Sequence, residues 1–363
     1  MNNSTLKEKL SNHLDDWNIR TIGMIDKSTY LVVADWEPKQ NTQKKFEIES
    51  GETSWTKMAC IDLTDDTVWW LVQPQGLGKT YCDGGIIHGN KEAFFGAFNG
   101  ITYHLDYAKN SFEHEELLMT TQNAGINDIK LIGEHFYIAD SGNEVFRRDG
   151  VRKWTMISKE SREFFQKYRQ EGGVNALDGF SEKDIYFIGE NGFLWHFDGK
   201  KSSMIDTPCN FPFTKIVCAD DAKVYVGGRQ GQLLVGKDNQ WQVVISSKSA
   251  DACGVNTMHS MVYYKGTLYA GMRHDLMKLH KGKWVSANLE GIYNAEFLSS
   301  KDGMMLIGTN YSLFSYDGEN VKSVYRNEKY LDAMFIGNKL TEVGAELLES
   351  GHGLLNEMEK GKK

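Results

Sequence analysis

Three observations predict an all-β protein, a seven-bladed β-propeller of four-stranded antiparallel blades followed by a C-terminal helix. After residue 80 the chain repeats one phrase six times: a short apolar run, a small residue, a polar turn, a second apolar run and often an Asp-Gly pair. The phrases begin at Ala93, His135, Asp184, Lys223, Thr267 and Met304. Their turn positions, Gly100, Gly142, Gly192, Gly231, Asp275 and Ser312, lie 42, 50, 39, 44 and 37 residues apart, the period of a propeller blade. The composition agrees, because 36 Gly against 4 Pro and 12% aromatic residues suit tight strand turns around a core of large flat side chains.

Taken in order, residues 1–16 space Leu6, Leu10 and Leu14 for a short amphipathic helix or a frayed peripheral arm. Residues 17–337 form the propeller. Its first blade is degenerate, with strands expected at Tyr30–Val33, Lys45–Ile48, Trp55–Ile61 and Val68–Val72 and a polar insertion at Glu37–Lys44. Blades two to seven follow at about 80–120, 121–160, 173–207, 210–248, 252–288 and 291–327. Four of them open alike, with Gly125-Ile126-Asn127, Gly173-Val174-Asn175, Gly254-Val255-Asn256 and Gly291-Ile292-Tyr293-Asn294. Six blades is the alternative count, if the N-terminal strands complete another sheet and Leu331–Ile336 closes the ring. Between blades three and four, Ser158–Glu171 reads as a helical insertion carrying Phe164, Phe165, Tyr168 and Arg169, and 338–363 as a C-terminal helix and tail.

Composition also bounds the function. A net charge of -8 argues against neutralising a nucleic-acid backbone and favours a basic or neutral protein partner. Five scattered cysteines without a C-x-x-C pair encode neither a disulfide framework nor a zinc site, and with no signal peptide or membrane span they point to the cytoplasm.

No string carries chemistry by itself. The segment from Val68 to Thr80 resembles a P-loop with Lys79 as its phosphate lysine, but Gln73 stands where glycine belongs and the following residues favour strand over helix. His88, His104, His196 and His259 sit singly, so no metal or other cofactor is expected. Asp149, Asp198 and Asp317 precede Gly in the repeated turn and cap their own backbone. What varies is the turn between the second and third strands: Asn99, Ser141, Glu190 with Asn191, Arg229 with Gln230, Arg273 with His274, and Asn310 with Tyr311. A scaffold that repeats while its rim diverges reads as a recognition surface, with Arg229, Arg273, His274 and Tyr311 as anchors.

The phrases IYFIGENGFLWHFDG, VYVGGRQGQLL and MLIGTNYSLFSYDG resemble repeats of the WD40/YVTN-like β-propeller superfamily over about residues 80–327. The Gly-His and Trp-Asp signatures of true WD40 repeats are missing, so the resemblance implies an architecture and a binding platform but transfers no active site. The function expected is protein binding without catalysis, more specifically a bacterial inhibitor or immunity protein that occludes a toxin. The alternative is an enzyme acting on a sugar or other small molecule at the channel mouth, which requires two or more of Asp128, Asp178, Asp184, Glu296 and His259 to converge around one pocket.

Overall fold

A computed structural model describes residues 5–36, 55–73, 77, 79–117, 125–168, 172–246, 258–272 and 275–327. The Lys45–Ile48 strand, the Glu37–Lys44 insertion, the Leu331–Ile336 closing strand, the C-terminal helix, Arg169, Arg273 and His274 lie outside the described residues.

Seven four-stranded antiparallel sheets form the propeller, each from four consecutive strands. Blade 1 holds β1 (Trp17–Asp26), β2 (Thr29–Trp36), β3 (Trp55–Asp62) and β4 (Thr67–Gln73). Blade 2 holds β5 (Thr80–Ile87), β6 (Asn90–Ala97), β7 (Ile101–Asp106) and β8 (Ser111–Glu116). Blade 3 holds β9 (Ile126–Ile132), β10 (His135–Asp140), β11 (Val145–Gly150) and β12 (Lys153–Met156). Blade 4 holds β13 (Val174–Ser181), β14 (Asp184–Gly189), β15 (Leu194–Phe197) and β16 (Ser202–Ile205). Blade 5 holds β17 (Phe213–Cys218), β18 (Val224–Gly228), β19 (Leu233–Lys237) and β20 (Gln240–Ile245). Blade 6 holds β21 (Met258–Tyr264), β22 (Thr267–Met272), β23 (Asp275–His280) and β24 (Lys283–Ser286). Blade 7 holds β25 (Phe297–Lys301), β26 (Met304–Gly308), β27 (Ser312–Tyr316) and β28 (Val321–Arg326).

The count is therefore seven, and the six-blade alternative falls. Blade 1 is a full sheet of its own, and its inner strand β1 escapes a pattern reading for a local reason. Ile19 pairs with Ala34 but Thr21 with Val33, so a bulge at Arg20 breaks the alternation expected of a strand.

Apolar faces of adjacent blades pack on each other and leave one buried cluster at each of the seven interfaces. The cluster joining blade 7 to blade 1 sets Leu306, Leu313 and Tyr325 against Ile19, Ile22 and Val32. The Ile19 N–H also donates to the Asn310 carbonyl at 2.8 Å across the same junction. The ring thus closes by packing between two complete sheets.

The N-terminal arm is docked. Helix α1 (Leu6–Leu14) starts with a capping box between Thr5 and Glu8 and buries Leu10 and Leu14 in the blade 7–blade 1 cluster. Lys57 of β3 fixes its end, donating to the His13 carbonyl at 2.5 Å while lying 4.1 Å from the Trp17 ring centre. Helix α2 (Lys159–Tyr168) fills the connection between blades 3 and 4.

Strand direction reverses at each turn, so the turns between second and third strands and the connections between blades gather at one end of the channel. We call this end the mouth. Two of the three Asp-Gly turns close as expected: Asp198 accepts the Lys200 and Lys201 N–H groups at 2.8 and 2.9 Å, and Asp317 accepts those of Glu319 and Asn320 at 2.9 and 2.7 Å. Asp149 differs. Its carboxylate takes Arg147 Nε at 2.6 Å and Thr155 Oγ1 at 2.5 Å.

Candidate binding face and central channel

Residues of all seven inner strands line a central cavity of about 840 Å³. Three inner-strand aspartates there perform one repeated task. Asp83 accepts the N–H of Gly84 at 2.9 Å with one oxygen and that of Leu131, in the next blade, at 2.8 Å with the other. Asp128 does the same with Ile129 and Leu177 at 3.0 and 3.1 Å, and Asp178 with Gly179 and Cys218 at 2.9 Å each. Each carboxylate therefore stitches its blade to the following one through inner-strand amides that face the channel, where a β-ladder cannot reach. Burial raises the pKa of Asp128 and Asp178. Burial also disfavours the charge on Lys130 between them, but Asp178, Asp128 and Asp83 outweigh it and hold the ammonium above its ordinary value.

The repeated Gly-x-Asn openings are a second set of stitches nearer the mouth. Asn127 Nδ2 donates to the Val174 carbonyl at 2.9 Å and Asn175 Nδ2 to the Phe213 carbonyl at 2.8 Å, each crossing to the next blade. The glycine is needed for closeness: a Cβ on Gly173 would stand 2.6 Å from the Ser141 Cα.

The convergence that the enzyme alternative required, two or more of these side chains around one pocket, is met by three of the five. Asp128, Asp178 and His259 line the channel, whereas Asp184 and Glu296 do not. Asp184 instead holds His196 Nε2 at 2.8 Å and Lys237 Nζ at 3.4 Å. The two aspartates that do meet spend both oxygens on backbone amides, the geometry of a structural joint. Three more histidines face carboxylates: His104 with Glu92 at 2.8 Å, His135 with Glu182 at 2.7 Å and His88 with Glu134 at 3.2 Å. Among the described residues no three His, Cys, Asp or Glu side chains group as a metal site. In the P-loop-like string, Thr80 opens β5, so no helix N-terminus follows to cradle a phosphate.

The rim residues divide into two groups. Asn99, Asn191, Arg229 and Gln230 are exposed at the mouth, with Asn191 and Gln230 at φ of 58° and 63°. Ser141, Glu190, Asn310 and Tyr311 are half-buried. Ser141 Oγ accepts the Gly125 N–H at 2.8 Å within blade 3, whereas Glu190 pairs with Arg229 of blade 5 at 2.9 Å and the Asn310 carbonyl takes Ile19 of blade 1, so the latter two positions also lock neighbouring blades.

The insertion is a docked helix. Phe165 is buried, and Phe164 packs among Phe193, Trp195 and Tyr168 at ring-centre distances of 5.7, 5.7 and 4.8 Å. Glu160 ties the helix to blade 4 by accepting Ser202 Oγ at 2.8 Å, and only Tyr168 of the three described aromatic residues remains exposed. The reason is compositional, since two adjacent phenylalanines lose more by staying in water than a charged helix gains by standing free.

Exposed aromatic residues extend the face beyond the expected rim. Trp55 at the start of β3, Phe98 in the β6–β7 turn, Tyr168 in α2 and Tyr293 in the blade 6–blade 7 connection are 42, 45, 53 and 73% exposed, and all four stand at the mouth end. Rings of this kind, together with arginine, are what binding surfaces concentrate. Tyr293 had a visible signal: its opening, Gly-Ile-Tyr-Asn, carries one residue more than the others.

One strongly perturbed carboxyl lies behind this face. Asp140, fully buried, accepts the N–H groups of Gly142 and Glu144 at 2.9 and 2.8 Å. Burial foremost, with the Glu144 carboxylate adding to it, pushes its pKa up to about 7. A carboxyl raised on folding favours the native state below the unfolded pKa of about 4, and that benefit is lost as pH rises through 7. Asp140→Asn is therefore expected to gain about 1 to 3 kcal/mol at pH 7.5 and to flatten the decline between pH 4 and 7, as read by urea unfolding across that range.

Comparison with known proteins gives one sequence relative. Over 215 residues the chain is 27% identical to the Immune protein Tsi7 of Pseudomonas aeruginosa, covering 57% of this chain and 68% of that protein. No protein-family model matches the chain. Among solved structures it is similar to YCF48 bound to D1 peptide, with a TM-score of 0.49 and 10% identity over 68% of this chain and 80% of that one. It is also similar to a luciferin-regenerating enzyme, with a TM-score of 0.45 and 10% identity over 62% and 82%.

Proposed function

We propose that this protein is a cytoplasmic immunity protein that binds a protein toxin through the mouth of its propeller and occludes it. The likeness to the Immune protein Tsi7 carries this reading. The mouth supports it, because exposed aromatic residues surround polar turns on a rigid ring whose channel aspartates are occupied by backbone amides. An inhibitor of this kind needs complementary shape and charge and no chemistry of its own.

The test is co-expression with each protein encoded by the genes flanking the chain's own gene, scored by growth and by a titration of the purified pair. The wild type is expected to restore growth and to form a stoichiometric complex. Phe98→Ala combined with Arg229→Ala and Tyr293→Ala, checked for an unchanged melting temperature, is expected to lose about 100-fold or more in affinity. A toxin neutralised equally well by that variant would move the binding surface elsewhere, and a wild type that neutralises no neighbouring toxin would end the immunity reading.

A further inference from the structure

The charge of -8 is not spread evenly, and the channel mouth runs against it. Arg20 of β1, Lys79 just before β5, Lys215 of β17 and Arg229 of the β18–β19 turn all line the cavity. Arg20 is matched by Asp35 at 3.3 Å and Arg229 by Glu190 at 2.9 Å. Among the described residues, no carboxylate stands within ion-pair distance of Lys79 or Lys215. The anion they share, Asp128, is already committed to the amides of Ile129 and Leu177.

The two ammonium groups also feel one another. Burial first, then Lys79 and Lys130, lower the Lys215 pKa against the pull of Asp128. Two cations on different blades face one cavity with a single shared carboxylate, so they are placed to gain from a second anion entering between them.

The occupant has to suit the surroundings as well as the charge. The cavity has room for several side chains, and Trp55, Phe98, Tyr168 and Tyr293 stand exposed at the same end. A free inorganic anion would use none of those rings, whereas a protein could rest on them while sending a loop inward. We propose that the partner protein inserts an acidic loop into the channel mouth and that Lys79 and Lys215 hold its carboxylate. This rests on the toxin-binding reading and reverses the partner expected from net charge, because the field at the contact decides which charges fit.

The probe is a fluorescein-labelled hexaglutamate peptide, titrated by anisotropy into the full chain in about 50 mM salt, where surface electrostatics are least screened. The wild type is expected to bind it despite the overall negative charge. Lys79→Met with Lys215→Met should weaken binding at least tenfold. Lys200→Met with Lys201→Met, which removes the same charge from the exposed β15–β16 turn, should change it less than twofold. No binding by the wild type, or an equal loss in both pairs, overturns the proposal. Both variants are then titrated against the toxin that the wild type neutralises. A toxin bound as tightly by Lys79→Met with Lys215→Met as by the wild type removes the acidic loop and leaves the immunity reading standing. A peptide site that behaves as expected in a chain that neutralises no toxin does the reverse.

Discussion

Lys91→Met is expected to destabilise the protein by about 3 to 5 kcal/mol, because it strands a buried carboxylate. Lys91, in β6 of blade 2, reaches across to the end of blade 1 opposite the mouth. Its ammonium lies 2.8 Å from Asp62 Oδ2, 3.1 Å from Asp26 Oδ2 and 2.6 Å from Thr29 Oγ1. Asp62 is 2% exposed, and it further accepts Tyr107 OH at 2.6 Å and Thr64 Oγ1 at 2.6 Å. Burial alone would raise its pKa, but hydrogen bonds from Lys91, Thr64 and Tyr107 hold it well below the usual carboxylate range. A carboxyl depressed on folding stabilises the native state above its unfolded pKa of about 4, and this is lost as pH falls below that value. The wild type should therefore weaken between pH 4 and 2, and Lys91→Met should lose most of that dependence together with its stability at pH 7. Urea unfolding at the three pH values reads both effects. A pair whose lysine stands in solvent, Lys109 with the half-buried Asp106 at 2.7 Å, supplies the contrast: Lys109→Met should shift the stability by less than about 1 kcal/mol.

The blade-like period was legible because its markers do local work. Asp198 and Asp317 close turns with their own neighbours, and glycines such as Gly173 permit a contact that any Cβ would block. Blade 1 was harder to read, since the bulge at Arg20 spoils the alternation of β1 and its start follows directly on α1. The channel aspartates were visible as residues but not as joints. Asp128 and Asp178 find their partners 49 and 40 residues away, a distance over which spacing says nothing about direction. The rim was half legible for the same reason. A turn position predicts that Asn99, Arg229 and Gln230 are exposed, but not that Ser141 is consumed by the opening of its own blade or the Asn310 backbone by the neighbouring one. Phe98 and Trp55 were passed over because an aromatic residue beside a strand reads as core, and only their place at the mouth shows them facing solvent.

A loss of about 3 to 5 kcal/mol is also expected for Glu115→Ala, at a different joint of the ring. Glu115 of β8 is fully buried in blade 2 and grips Arg148 of β11 in blade 3 with both oxygens, the Nε contact being 3.1 Å. It accepts the Arg152 N–H at 3.3 Å as well, and the guanidinium sits 5.4 Å from the Phe94 ring centre. Arg148 is 10% exposed, so removing the carboxylate leaves a cation that water can scarcely reach. If that stranded charge is the cause, Glu115→Leu with Arg148→Met should recover most of the loss, since an apolar pair of similar volume avoids both desolvation costs. A double variant as unstable as Glu115→Ala would instead assign the effect to lost packing. Lys91→Met and Glu115→Ala share no partner, so their separate costs should add within about 0.5 kcal/mol. A larger shortfall would mean that opening one interface already loosens the next, which a closed ring permits because every blade is clamped from both sides.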